Sequence, residues 1–342
     1  MKNKKTEIAF FLFGLAIFIY LIRRFGIEQV SSDIAGAGWS LLGAVLVWLA
    51  IYFLNTLSWK FALGSEGKNI SFLHLMMVNV SGFSIDTITP VVALGGEPYK
   101  VKALSSSMGT RQALSAVILF RMVHTVGHML MLLTGIVGGL LVLSLPAALD
   151  WMLAIGGGVM AVVLAVMFSG FRDGVFQRLE RFVGKLKLLG RFSTVLKAHE
   201  HSLHEMDHVV TDAYRNRKGK FYASVFFEYL CRACMGIEVY LILHGAGVDI
   251  SMMSALFLYV AYSVIINLVF FIPLNLGVRE GGLYLGLESL ALPPMLGIYL
   301  GIVIRIREFI WILIGLLLIL VLARMNTKTV PYSESTSVGK LP

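Results

Sequence analysis

Charge is scarce in this chain, and cysteine scarcer still. Asp, Glu, Lys and Arg together make up 14% of the 342 residues while hydrophobic residues make up 57%, which excludes a soluble globular fold and leaves a polytopic membrane protein. The mean hydropathy of +0.81 agrees. Cys231 and Cys234 are the two cysteines, and both fall inside one hydrophobic segment. A lone C-x-x-C in that setting reads as two small buried residues rather than as a disulfide, a redox pair or a zinc site. No G-x-x-x-x-G-K-[ST] run is present, so ATP held at a P-loop is not the energy source. No D-x-D pair is present either, and without it a membrane glycosyltransferase lacks the carboxylates that would hold a nucleotide-sugar metal. Nothing in the sequence calls for a cofactor. Acid is short relative to base, 20 residues against 29, and in a membrane protein that excess belongs to cytoplasmic loops facing anionic lipid, not to nucleic acid.

What is present is a series of apolar segments. They cover approximately Ile8–Ile22, Ser40–Trp59, Ala113–Leu145, Trp151–Phe168, Phe221–His244, Met252–Ile272 and Met295–Ala323, each of a length to be read as a transmembrane helix. The first lacks a small-residue cleavage site and is followed by Arg23-Arg24, so it reads as an uncleaved span. Phe25–Gly38 reads as a polar loop, and Gly156-Gly157-Gly158 as a place where a neighbouring helix can approach closely. Residues 171–220 carry eleven basic and six acidic side chains among recurring leucine and aromatic residues, the pattern of cytoplasmic amphipathic helices near the membrane surface. Together, residues 1–323 form one transmembrane domain with 171–220 as a cytoplasmic insertion, in the plasma membrane. Arg324 to Pro342 is rich in Ser and Thr without apolar period and reads as a disordered tail.

Two segments do not fit lipid. Pro273-Leu-Asn-Leu-Gly277-Val-Arg279-Glu280-Gly281-Gly282 interrupts apolar sequence with charge and glycine, and Pro90-Val-Val-Ala-Leu-Gly95-Gly96-Glu97-Pro98-Tyr99-Lys100 echoes it, with Glu seven positions after Pro in both. The echo continues: Arg121 follows Glu97 by 24 residues and Arg305 follows Glu280 by 25, each within a hydrophobic helix. Interrupted apolar segments at corresponding places in two halves point to a substrate site between internal repeats. Irregular backbone at membrane depth is tolerated only inside protein or along a watery cavity.

The residue types suit a phosphate-bearing headgroup. Glycine turns at Gly95, Gly96 and Gly277 bring backbone amides and a half-helix N-terminus toward an anion. Arg121, Arg279 and Arg305 offer bidentate phosphate contacts, with Lys100 beside them. Glu97, Glu280 and Glu308 would balance those charges, hold an amine or take up a proton. His124 shares the Arg121 stripe of one helix, and Asn267 faces the interior with Ser263 just before Pro273. A second reading keeps these groups for packing alone, with Arg305 paired to Glu308 at i+3 and Arg279 to an acidic neighbour. Glu228 and Arg232 at i and i+4 can likewise neutralise each other.

The stretches GGEPYKVKAL and PLNLGVREGG resemble the two signature stretches of the flippase-like family, also described as the lysylphosphatidylglycerol synthase transmembrane region. The resemblance extends from about Trp39 to Ala323. It implies an all-α fold of about seven to eight transmembrane helices with two broken or re-entrant segments in a pseudo-repeated, inverted arrangement. It also implies a translocation-type module without the aminoacyl-transfer domain of multidomain members. The implied partners are membrane lipids, either an anionic or aminoacylated phospholipid or a polyprenyl-phosphate-linked lipid, together with a separate lipid-synthesising enzyme. The alternative is a lipid-modifying enzyme or its membrane subunit. A more remote one comes from His204-Glu-Met-Asp-His208, an H-E-x-x-H whose histidines could bind zinc. That run sits in a strongly polar loop, where charge needs no special purpose.

Overall fold

In the computed structural model, residues 27–88, 95–174, 207, 210–268 and 277–326 are described. They form α1 (Ile27–Leu63), α2 (Phe72–Ile88), α3 (Gly96–Met108), α4 (Thr110–Val142), α5 (Ala147–Asp173), α6 (Lys218–Gly245), α7 (Met252–Leu268), α8 (Val278–Ser289) and α9 (Leu296–Asn326). No strand occurs among them. The protein is an all-helical, polytopic membrane protein. Gly38–Leu63, Thr110–Val142, Ala147–Arg172 and Leu296–Met325 are long and apolar enough to cross a bilayer. The apolar segment at Ile8–Ile22, the bulk of 171–220 including His204 and His208, and the tail beyond Asn326 lie outside the described residues.

Two boundaries differ from the sequence reading. Residues 27–38 are helix and not loop, and the change of direction is confined to Gly38, where φ is 51° and ψ is −131°. A single glycine in left-handed backbone redirects the chain without ending its helical hydrogen bonding on either side. The Met252 segment is helix through Leu268, and residues 269–276 lie outside the described residues. Finally, α9 carries on through Arg324 to Asn326, three residues into the expected tail, its terminal Arg324 complementing the negative end of the helix dipole.

The halves repeat. A 17-residue helix, an interruption, a 12- or 13-residue half-helix and a helix of more than 30 residues occur in that order as α2, α3, α4 and again as α7, α8, α9. Packing respects the repeat. The halves cross over: α2 packs on α9, and α7 packs on α4. Within each half the half-helix packs on its two neighbours in sequence, and α1 and α6 form the long contact between halves. Exchanging α1 with α6, α2 with α7, α3 with α8 and α4 with α9 returns the same pairs of packed helices. Only α5 stands outside, against α4, with Trp151, Met152, Ile155, Val159 and Val162 exposed as a lipid-facing helix requires.

Both crossings depend on glycine in the long helix. Gly135 of α4 lies where an added Cβ would meet Val260 of α7, and Gly139 where it would meet the Phe257 ring at 2.9 Å. In α9, a Cβ at Gly315 would run into Ser84 of α2 and stand 2.9 Å from the Val80 carbonyl oxygen. Ser84 Oγ meanwhile reaches the Trp311 carbonyl across the same contact, at 3.1 Å. With no hydrophobic drive between helices in lipid, such close approach supplies the association. Gly315→Ala is therefore expected to cost about 1–3 kcal/mol by overpacking, read as a fall of several degrees in the thermal midpoint of the purified protein. Gly158→Ala, on α5 where nothing lies within 4 Å, serves as the silent control.

Candidate functional site

The two interruptions are bounded in related ways. In the first half, α3 starts at Gly96, whose N–H donates to Asp86 Oδ1 of α2 at 2.8 Å. The carboxylate thus satisfies an orphan amide at the positive end of the half-helix. A Cβ on Gly96 would collide with the Gly82 carbonyl and meet the Asp86 carboxyl carbon at 2.8 Å, so the α2–α3 hairpin needs glycine there. Gly95 is an ordinary right-handed N-cap with φ −67° and makes no such demand. Lys100 is buried and its Nζ lies 3.6 Å from Asp86 Oδ2, a second tie across the hairpin. Glu97 Oε1 accepts from Arg121 Nη1 of α4 at 3.1 Å.

A cavity of about 700 Å³ opens beside that pair, between α3 and α4. Glu97, Lys102, Ser105, Thr110 and Arg121 supply its polar side chains, and Val117 and Ile118 are among its apolar walls. The Arg121 side chain keeps 42% of its surface exposed, enough to meet a ligand without breaking its pair.

In the second half the turn is at Gly277, in left-handed backbone with φ 77°. Its N–H donates to Glu280 Oε2 at 3.0 Å, the return bond of a capping box. The other oxygen, Oε1, accepts from Arg305 Nε and Nη2, both at 2.7 Å. Arg279 pairs with Glu308 through Nη1–Oε2 at 2.9 Å and Nη2–Oε1 at 2.8 Å. The i to i+3 pair of Arg305 with Glu308, which the packing reading supplied, is not among the ion pairs of the described residues. Its physical reason is Gly301, one turn before Arg305: a Cβ there would stand 2.9 Å from Glu280 Cγ, so the glycine admits the Glu280 stem and leaves Glu308 to Arg279. The pairs Glu97–Arg121 and Glu280–Arg305 thus join the residues that the sequence spacing singled out, one pair in each half.

Each long helix also touches the short helix that leads into the other half's break. In α4, His128 lies one turn beyond His124, and its Nε2 is 3.2 Å from Nδ2 of Asn267, the second-last residue of α7. On α9, Glu308 and Trp311 share a narrow gap with Thr87, the second-last residue of α2. The half-helices themselves pack within their own halves. Among the described residues, the polar stripes of α4 and α9 reach the ends of the short helices that lead into the two interruptions.

Two buried clusters lie between the halves. Glu228 of α6 is fully buried; Oε1 stands 2.7 Å from His124 Nδ1 and 3.5 Å from Arg232 Nε, and Oε2 accepts from Asn55 Nδ2 at 2.6 Å. The i to i+4 self-pairing expected of Glu228 and Arg232 is therefore only part of what they do. Sequence reasoning missed the other cluster. Arg307 of α9 forks onto Glu238 of α6, at 2.7 Å for Nε–Oε1 and 3.2 Å for Nη2–Oε2, and its guanidinium carbon lies 3.9 Å from the Trp48 ring centroid. Trp48 Nε1 donates to the same carboxylate at 2.9 Å. The available signal was Arg305-Ile-Arg307-Glu308, three charges in four positions of an apolar helix, because intramembrane charges come with partners.

Comparison with known proteins places these features in a family. The profile of the lysylphosphatidylglycerol synthase TM region matches residues 7–317, a stretch that takes in both breaks and every ion pair described above. A UPF0104 membrane protein of Methanothermobacter thermautotrophicus is 24% identical over 315 residues, covering 88% of this chain and 87% of the relative. With both interruptions and their arginines inside the matched stretch, this chain belongs to the lysylphosphatidylglycerol synthase transmembrane-region family.

Proposed function

We propose that the protein carries a polar lipid between the leaflets of the membrane. The observation that supports this best is the crossed arrangement of two half-helices, each opening at a glycine and each bearing a Glu paired to an Arg on the next long helix. The headgroup enters at the α3–α4 cavity, where Arg121 meets its phosphate and Glu97 an amine or hydroxyl, while the tails stay along the apolar walls. Sheltering the head removes most of the cost of moving charge through roughly 30 Å of hydrocarbon. Suitable lipids are anionic or aminoacylated phospholipids and polyprenyl-phosphate-linked lipids.

The hairpins α2–α3 and α7–α8 act in this reading as re-entrant elements. Among the described residues three long helices, α4, α5 and α6, lie between them, an odd number. If each crosses, the two hairpins open to opposite faces. That is an inverted repeat, and it suits alternate opening.

The competing reading, a lipid-modifying enzyme or its membrane subunit, draws on the synthase in the family's description. One assay separates the two. Purified protein in vesicles of phosphatidylglycerol and phosphatidylethanolamine is given a fluorescent phosphatidylglycerol, a membrane-impermeant quencher reports leaflet exchange, and chromatography of the extracted lipid reports chemistry. Exchange faster than in protein-free vesicles with one unchanged lipid species is the expected result. A new lipid species without faster exchange would favour the enzyme.

A further inference from the structure

The cavity between α3 and α4 is unevenly charged. One face of α3, with Tyr99 and Lys100, is buried in the bundle, and the other, with Glu97, Lys102 and Ser105, lines the cavity. Lys100 is matched by Asp86 on the buried face. The charged groups left for a ligand are therefore Lys102 and Arg121 against Glu97, an excess of one positive charge.

The cations are also the more open groups. Among the described residues Lys102 has no ion-pair partner, and the Arg121 side chain is more than twice as exposed as that of Glu97. Glu97 Oε1 is already taken by Arg121, and Oε2 is buried. What the cavity offers is chiefly N–H donors of positive charge on a largely apolar wall. An unpaired cation in such a setting is costly until an anion joins it.

The repeat shows that the half-helix does not need this excess in order to fold. Leu285 stands five residues after Glu280 where Lys102 stands five after Glu97, and Glu288 stands eight after Glu280 where Ser105 stands eight after Glu97. The same positions of the second half, Glu280, Leu285, Glu288 and Arg305, sum to one negative charge. The positive excess belongs to the first half alone, and Lys102 is the side chain that creates it.

We propose that this cavity takes a lipid whose head is a singly charged phosphodiester bearing hydroxyl groups and no ammonium, a choice that rests on the headgroup entering here in the translocation reading. One phosphodiester between Lys102 and Arg121 neutralises the excess. An ammonium on the same head would restore the positive charge beside apolar walls, where the one carboxylate is already engaged. A phosphate monoester or a diphosphate would bring more negative charge than the excess can match. Ser105 Oγ donates to the Lys102 carbonyl at 2.8 Å and keeps its lone pairs for a ligand hydroxyl, as does the hydroxyl of Thr110 on the facing wall. Leu114, exposed at the rim, leaves an apolar exit for the tails. Phosphatidylglycerol and a polyprenyl phosphoryl-hexose both have this chemistry.

Lipid binding by the full chain in non-ionic detergent tests the ligand class apart from transport. Dihexanoyl phosphatidylglycerol and a short prenyl phosphoryl-hexose are titrated by calorimetry beside dihexanoyl phosphatidylethanolamine and dihexanoyl lysylphosphatidylglycerol. Wild type is expected to bind the better of the first two about tenfold more tightly than either amine-bearing lipid, and the order of those two separates the sources. Lys102→Glu, which turns the positive excess into a negative one, is expected to abolish or reverse the preference. Lys102→Leu, the side chain found in the second half, is expected to abolish it and serves should the first variant not fold. Lys218→Glu, exposed on α6 and outside the cavity lining, makes the same change in net charge and is expected to keep the wild-type preference. Wild type that binds an amine-bearing lipid as tightly as the better phosphodiester, or binds none of the four, overturns the proposal. So does a preference that survives both Lys102 variants or is lost equally in Lys218→Glu. If the preference is as expected but vesicles show no leaflet exchange, the translocation reading has failed and the ligand class stands.

Discussion

Glu238→Ala is expected to cost about 3–5 kcal/mol of stability, the penalty for leaving a buried charge without its partner. Arg307 is 2% exposed and takes both oxygens of Glu238, and no water reaches it to compensate. The carboxylate is also the acceptor for Trp48 of α1, so the substitution unties α1, α6 and α9 together at the main contact between the halves. A loss of that size leaves little folded protein after extraction, measured as the monodisperse fraction and thermal midpoint in detergent. Removing both charges has a different outcome. Glu238→Met combined with Arg307→Met is expected to recover most of the loss, because a buried pair contributes little over well-packed apolar side chains even though breaking it is costly. A double variant as unstable as the single one would give this pair a role other than mutual neutralisation.

Glu280→Gln is expected to slow lipid exchange by about a hundredfold while leaving the protein folded. The carboxylate accepts from Gly277 and twice from Arg305, and an amide can accept those bonds at only one oxygen while presenting N–H to a cation. Truncating one partner of a desolvated charge pair costs roughly 2–5 kcal/mol, and at about 1.4 kcal/mol per decade a cost of about 2.8 kcal/mol, in the lower half of that range, gives the stated factor. Glu97→Gln is expected to act in the same direction through Arg121. Its effect should be smaller, because the Arg121 side chain keeps 42% of its surface exposed against 9% for Arg305 and more exposed pairs contribute less. Initial rates of quencher-accessible lipid in matched vesicles measure both. Equal and undiminished rates in the two variants would remove the pairs from the transport path.

The fold class was legible because membranes permit few solutions: apolar length, broken by polar glycine-rich runs, leaves helices and interrupted helices. The matching spacing of Glu97 to Arg121 and of Glu280 to Arg305 was also legible, but that each Glu pairs with its Arg was not, since Glu308 at i+3 offered Arg305 a nearer partner in sequence. The fate of Lys100 was not. Its partner Asp86 belongs to the preceding helix, and only the closeness of Gly82 and Gly96 brings the two together. Nor was Arg307 legible, because its partner lies 69 positions away on α6 and no local rule connects them. His124 read as one member of a stripe; that Glu228 and Arg232 close on it from α6 depends on Gly127, where a Cβ would meet the Glu228 chain at 2.6 Å. Such tertiary contacts set by glycine are invisible to periodicity.

That the two interruptions are opposed copies of one device can be read at Thr87 and Asn267, each the second-last residue of its short helix. With Cys231 and Cys234 replaced by Ala, Thr87→Cys and Asn267→Cys are to be labelled singly in sealed vesicles of known orientation with a membrane-impermeant maleimide added to one side or the other. Labelling of the two positions from opposite sides is the predicted result. Labelling of both from the same side would contradict it.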